Sequence, residues 1–299
     1  MKRALYLSRD NIDRLRERII GHQKNYREII SIPDNIKFGI EIEFLSPYSL
    51  NDIIEEGSKT SYEFRYDGMT VTSVLEAISP VLTNKKETWE ELKRVLDIIK
   101  SSDAYIDERV GAHIHFDNTT IGDENVVSFL KLWYVFEEVI YQFSYGEFDH
   151  LRSDAILYAN RLNNELKDCL DEYENGYKDL TNFSVFDKGY GINLENHLCS
   201  RPYPWKDTYE IRCPNGTIDK DVWQNNINFF AHLLLFGANG NNRQIINEFY
   251  KDGRLENSAV NAITLSEMIY DNDDDKLDFL KQYKFNLTDS KNEQQFCCK

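Results

Sequence analysis

FGIEIEF, residues 38–44, decides how the chain is read. Phe38, Ile40, Ile42 and Phe44 alternate with Gly39, Glu41 and Glu43, the period of a strand with one buried face. Glu41 and Glu43 then point to the same side, about 7 Å apart. Two like charges aimed at one place need a counter-charge.

The pattern returns twice. In GAHIHFD (111–117), His113 and His115 share a side, with Ala112, Ile114 and Phe116 opposite. In YEIRC (209–213), Glu210 and Arg212 share a side, with Tyr209, Ile211 and Cys213 opposite. Between the first two lies RYDGMTVTSVLEAISP (65–80), where Asp67–Gly68 signals a turn and Glu76 sits in an apolar strand. That span brings Asp67 and Glu76 back to one end of a sheet. Any single pair fits the solvent face of a one-sided antiparallel sheet. Ordinary solvent faces, however, mix Thr, Ser, Lys and Gln, whereas these carry acids, imidazoles and one arginine.

If the faces converge, Glu41, Glu43, Asp67, Glu76 and Glu210 stand against Arg212 alone. Such a cluster raises its own carboxylate pKa values unless something neutralises it, and two divalent cations would. Mostly carboxylate donors with one imidazole suit Mg²⁺ or Mn²⁺ better than zinc. A pair of such ions is suited to phosphate oxygens.

Around these strands the chain reads as an α+β protein. Residues 8–30 read as a helix capped by Ser8, with Ile12, Leu15, Ile19 and Ile20 on one face, and Pro33–Asp34 ends it. Strands are expected in 62–68, 72–80, 107–117, 189–198 and 207–217. Helices are expected in 84–100, 123–145 (the central one), 153–173 and 219–237, the last capped by Asp219. The polar stretch from 239 onward holds two or three modest helices. Strands and helices mix without strict βα alternation, so a mainly antiparallel sheet with helices on one face is expected. The organisation reads as a helical segment (1–33), a catalytic domain (34–238) and a C-terminal extension (239–299) packed on it.

The formal net charge of −16 argues against a broad nucleic-acid-binding face. No apolar run is long enough to span a bilayer, the best being 229–236, and the first 20 residues are too charged for a signal peptide. Five scattered cysteines, Cys169, Cys199, Cys213, Cys297 and Cys298, show no CxxC spacing. A reduced cytoplasmic setting is expected, with no nucleic-acid or membrane partner. P-loop and Rossmann glycine patterns are absent.

GIEIEF, YDGMT…LEAISPVL, GAHIHFD and TYEIRCPNGTID, in that order, resemble the putative amidoligase family, over about residues 38–236. That family belongs to the ATP-dependent carboxylate–amine ligases, with glutamine synthetase and glutamate–cysteine ligase as relatives. The resemblance implies a curved antiparallel sheet whose concave face holds ATP and Mg²⁺ or Mn²⁺. Glu41, His113 and Glu210 would hold the metal that bridges to the γ-phosphate. Glu43, Asp67 and Glu76 would hold another, nearer the acceptor carboxylate. Arg212 would steady the transferring phosphoryl group, and His115 would sit beside the nucleotide. Arg161, in YANRLNNEL, would bind phosphate or substrate carboxylate. Asn193, in YGINLEN, falls on a strand leading into the site. Arg152, Lys188 and Arg201 are candidates to offset the remaining charge of ATP.

The implied reaction phosphorylates a carboxylate and lets an amine displace phosphate, joining small-molecule or peptide substrates through an amide. Glu43, Glu210 and Arg212 are the expected catalytic residues. Two rivals stand: a metal-dependent phosphoryl-transfer enzyme or hydrolase on the same fold, and a non-catalytic nucleotide-binding or regulatory protein. Elsewhere, His22, His150, His197 and His232 read as surface or packing residues. Trp89, Trp133 and Trp223 read as core, Trp205 as a loop residue, and the Asp271–Asp275 acidic run as solvated.

Overall fold

In the computed structural model, residues 9–23, 25–47, 50–67, 74–198 and 207–285 are described. Ser8, Gly68, Cys199, Arg201, Trp205, Cys297 and Cys298 lie outside them.

Among the described residues, six strands form one sheet: β1 (Phe38–Leu45), β2 (Glu63–Tyr66), β3 (Val74–Ile78), β4 (Ala112–Asp117), β5 (Ile192–Asn193) and β6 (Thr208–Ile211). Their order is β2-β3-β1-β4-β6-β5, and every ladder is antiparallel. The helices are α1 (Arg9–Gly21), α2 (Leu50–Gly57), α3 (Lys86–Ser101), α4 (Val126–Phe143), α5 (Ala155–Tyr158), α6 (Asn163–Glu174), α7 (Glu195–Leu198), α8 (Lys220–Ala238), α9 (Arg243–Asp252), α10 (Ala259–Ile269) and α11 (Asp273–Phe285). The chain is α+β, as its sequence pattern indicates.

The apolar strand residues Phe38, Ile40, Ile42, Phe44, Leu75, Ala77, Ala112, Ile114, Phe116, Tyr209 and Ile211 join one hydrophobic core with the helices. Phe38 stacks on Trp89 of α3 at 5.9 Å. Trp89, Trp133 and Trp223 are fully buried, as expected of core residues. Helix α4 is the hub, buried along nearly its whole length and packed against α6, α8, α9, α10 and α11. Asp219 caps α8 by accepting the N–H groups of Asp221 and Val222. Helix α11 enters the same core through Phe279, whose ring lies 5.1 Å from Phe143 and 4.9 Å from Phe229. Among the described residues no helix is long and apolar enough to cross a membrane.

Four local expectations need correction. The first helix stops at Gly21 rather than continuing to residue 30. The next residues instead give their hydrogen bonds to distant partners: Arg27 exchanges backbone bonds with the Gln224 side chain, and Asn84 does the same for Ile30. Segment 153–173 is two helices, because the Glu137 carboxylate of α4 accepts the N–H groups of Leu162 (2.7 Å) and Asn163 (3.1 Å). Asn163 also turns left-handed, with φ of 48°. Segment 189–198 keeps only two strand residues, since Asn193 Oδ1 accepts the Glu195 N–H and opens α7. The acidic run is not all solvated: Asp275 is fully buried and holds Arg27, Ser31, Asn228 and Asn272.

Candidate functional site

Antiparallel register lays the polar residues of the second sheet face out in rows across the strands. In one row Arg65 of β2 faces Glu76 of β3, which faces Glu43 of β1. In the next, Glu41 faces His113. In the third, His115 faces Glu210, which faces Asn193. Glu41, Glu43, Glu76, His113, His115, Glu210 and Asn193 are therefore brought together by four strand pairings that no local pattern specifies.

Glu41 is the centre. Its Oε1 lies 3.1 Å from His115 Nε2 and its Oε2 lies 3.3 Å from His113 Nδ1. Burial pushes the Glu41 carboxyl up, but the two imidazoles outweigh it and hold the carboxyl well below the usual range. Glu210 is as deeply set. Its Oε2 accepts from Asn193 (2.8 Å) and Asn196 (3.2 Å), and its Oε1 accepts from Arg212. Burial acts against its charge, yet His115, Arg212 and His113 bring it down to about 2. Arg212 also donates from Nε to the Tyr158 carbonyl at 3.2 Å.

Donor atoms of Glu41, His115 and Glu210 all lie within 4.8 Å of one another, close enough to share a metal ion. The imidazole in this trio is His115, where the expected set had His113. Register explains the difference: His115 faces Glu210, whereas His113 faces Glu41 and leans its Nε2 to 3.6 Å from Glu43. His113 Nδ1 remains 3.9 Å from Glu210. Thr208 Oγ1 lies 3.3 Å from His115 Nδ1. With its Nδ1–H given to Thr208, His115 would have Nε2, which lies 3.1 Å from Glu41 Oε1, as its metal-binding nitrogen.

The other row is arranged differently. Glu43 Oε2 accepts the Gly111 N–H at 2.6 Å. Glu76 Oε1 accepts from Arg65 Nε at 2.5 Å. Burial raises the Glu76 carboxyl above its usual value, partly offset by Arg65 and reinforced by Glu41 and Asp67. Asp67 is half-buried at the end of β2, and its charge reaches Glu76. Among the described residues, donors of Glu43, Asp67 and Glu76 do not come together as a trio.

The basic candidates separate. Arg152 is buried, donates to the carbonyls of Arg212 and Pro214, and lies flat over Gly111. A Cβ on Gly111 would meet its Nη1 at 2.5 Å, so the glycine of GAHIHFD is the seat of this guanidinium. Arg161 lies between α5 and α6, pairs with Glu138 and covers the Tyr141 ring at 4.7 Å, turned toward α4. Lys188 is exposed in the link before β5. Arg65, Thr208, Asn196 and the Gly111 N–H were not singled out from the sequence. Each acquires its role through strand register or loop placement.

Residues 54–234 match the model of a protein family described as "Putative amidoligase enzyme". No curated protein matches the chain significantly. The matched span contains Glu76, His113, His115, Glu210 and Arg212 but begins after β1. Glu41 and Glu43 join the site through the ladders of β1 with β3 and β4.

Proposed function

We propose, from the premise that the chain belongs to the amidoligase family, that the acidic sheet face performs ATP-dependent carboxylate–amine ligation. We read the sheet as the glutamine synthetase type. The observation that carries the reading is the convergence of Glu41, His115 and Glu210 beside Arg212.

The donor set fits a hard divalent ion, Mg²⁺ or Mn²⁺: two carboxylates and one imidazole, on a rigid sheet, with Thr208 and the two asparagines orienting them. An ion held there supplies positive charge against the phosphate oxygens of ATP. The chain's own residues do the rest. Asn193 and Asn196 hold the Glu210 carboxylate from one side, so its other oxygen faces Glu41 and His115. Arg212, tied by Nε to the Tyr158 carbonyl and by Nη1 to Glu210, is held beside the converging donors with further N–H groups to give. A guanidinium in that position binds a transferring phosphoryl group bidentately. Transfer of the γ-phosphoryl group to a carboxylate gives an acyl phosphate. A neutral amine then attacks the carbonyl and phosphate leaves, which accounts for an amide product.

The test is turnover of ATP by the purified chain with panels of carboxylates and amines. Amine-dependent release of phosphate with amide formation, lost in Glu41→Gln, supports ligation. Phosphate release that ignores the amine favours the phosphoryl-transfer or hydrolase reading and rejects this one.

A further inference from the structure

The row Arg65–Glu76–Glu43 raises a question of charge. Glu43 and Glu76 face each other directly across β1 and β3, an unfavourable pairing for like charges. In the family-like arrangement a second metal ion would neutralise them. Here a side chain of the chain itself is already in place. Arg65 sits opposite Glu76 in the β2–β3 ladder, and its Nε donates to Glu76 Oε1 at 2.5 Å. Glu76's side chain is 6% exposed and Arg65's is 50%, so the guanidinium covers the carboxylate from the sheet edge. A guanidinium keeps its charge at every working pH. Glu43 is met from the other side by the Gly111 N–H and by the charge of buried Arg152. The donors of this row also fail to converge as Glu41, His115 and Glu210 do, among the described residues.

We infer that Arg65 serves as a built-in cation at Glu76 in place of a second metal ion, so that without nucleotide the face takes one divalent ion, at Glu41, His115 and Glu210. The inference rests on the metal-centre reading above. A divalent ion at Glu76 would have to displace the guanidinium or sit against its positive charge.

The test titrates Mn²⁺ into chelator-stripped full chain without nucleotide, following the free aquo-ion by electron paramagnetic resonance. The wild-type chain is expected to bind one ion, and Glu210→Gln to lose it. Arg65→Gln removes the cation from an edge position and is expected to bind two, while Arg65→Lys keeps the charge and stays at one. Melting curves of each variant confirm the fold. Two ions of similar affinity in the wild type, or an unchanged single ion in Arg65→Gln, overturn the role of Arg65 and leave the metal centre standing. No bound ion in the wild type overturns the metal centre and this inference with it.

Discussion

Asp275 is where the sequence pattern and the structure part most sharply, and replacing it tests the packing of the C-terminal helices. Its carboxylate accepts from Arg27 Nη1 at 2.6 Å and Asn228 Nδ2 at 2.9 Å, and from Ser31 and Asn272 at closer approach. Asp275→Ala leaves these donors without their acceptor, while Arg27 keeps its 3.0 Å bond to Asp278. Removing one partner of a buried ion pair costs about 3–5 kcal/mol. Arg27 is 26% exposed and regains some water, so the lower end, about 3 kcal/mol, is expected. In a chain of this size that lowers the melting temperature by roughly 5 °C. Burial opposes the Asp275 charge, but Ser31, Asn272 and Arg27 outweigh it and hold the carboxyl below the usual aspartate range. A carboxyl depressed on folding contributes its stability in full above its unfolded value, near 3.9. That contribution is lost as pH falls through the lower folded value. The gap between wild type and variant should therefore stay constant from about pH 7 to 5 and close below about pH 4. Urea denaturation across that range measures it. A loss under about 0.5 kcal/mol at pH 7, typical of a surface change, would refute the buried role.

Three further outcomes follow from particular contacts. Phe279→Ala should cost about 3–5 kcal/mol and leave a single unfolding transition, because the ring packs between Phe143 and Phe229; two separate transitions in denaturant would show that α11 folds apart from the core. Gly111→Ala should destabilise by about 1–3 kcal/mol, since its Cβ meets the anchored Arg152 guanidinium. Combined with Arg152→Ala, it should cost less than the sum of the two, and strict additivity would sink the account of Gly111 as a seat. Thr208→Val should weaken Mn²⁺ binding about tenfold or more through His115, with melting little changed. Unaltered Mn²⁺ affinity would show that the hydroxyl does not orient the imidazole.

What the sequence made legible was whatever local periodicity controls. The two-residue alternation in 38–44, 111–117 and 209–213 gave the strands, their faces and most of the acidic and imidazole cluster. The uninterrupted apolar runs gave α4 and α8. What it left hidden depended on pairings far apart in the chain. The helix expected over 8–30 ends at Gly21, because side chains of Gln224 and Asn84 take the backbone groups of Arg27 and Ile30. Glu137 likewise breaks 153–173 from a helix 25 residues away. Asp275 looks solvated among its acidic neighbours because nothing local announces Arg27, 248 residues earlier. Whether His113 or His115 completes the trio is a matter of register between β4 and β6. A shift of one residue would change every facing pair.

Register also answers the charge conflict in FGIEIEF. Glu41 and Glu43 point to one side, yet each meets a different set of partners. Glu41 has an imidazole on either side of its carboxylate, from His113 and His115. Glu43 has the Gly111 N–H, the nearby charge of Arg152, and a facing Glu76 already engaged by Arg65. The separation of about 7 Å along the strand divides the face into two electrostatic compartments. In one, the donors of Glu41, His115 and Glu210 converge, and Glu210 is kept ionised by its surroundings. The other holds its own cation. A face with carboxylates on β1, β3 and β6 can then fold in metal-free solution, because Glu41, Glu43, Glu76 and Glu210 each have a donor or an opposite charge beside them. On the proposed metal-centre reading an ion would enter a site that is already shaped, and its binding should change side-chain partners at Glu41 and Glu210 rather than the sheet.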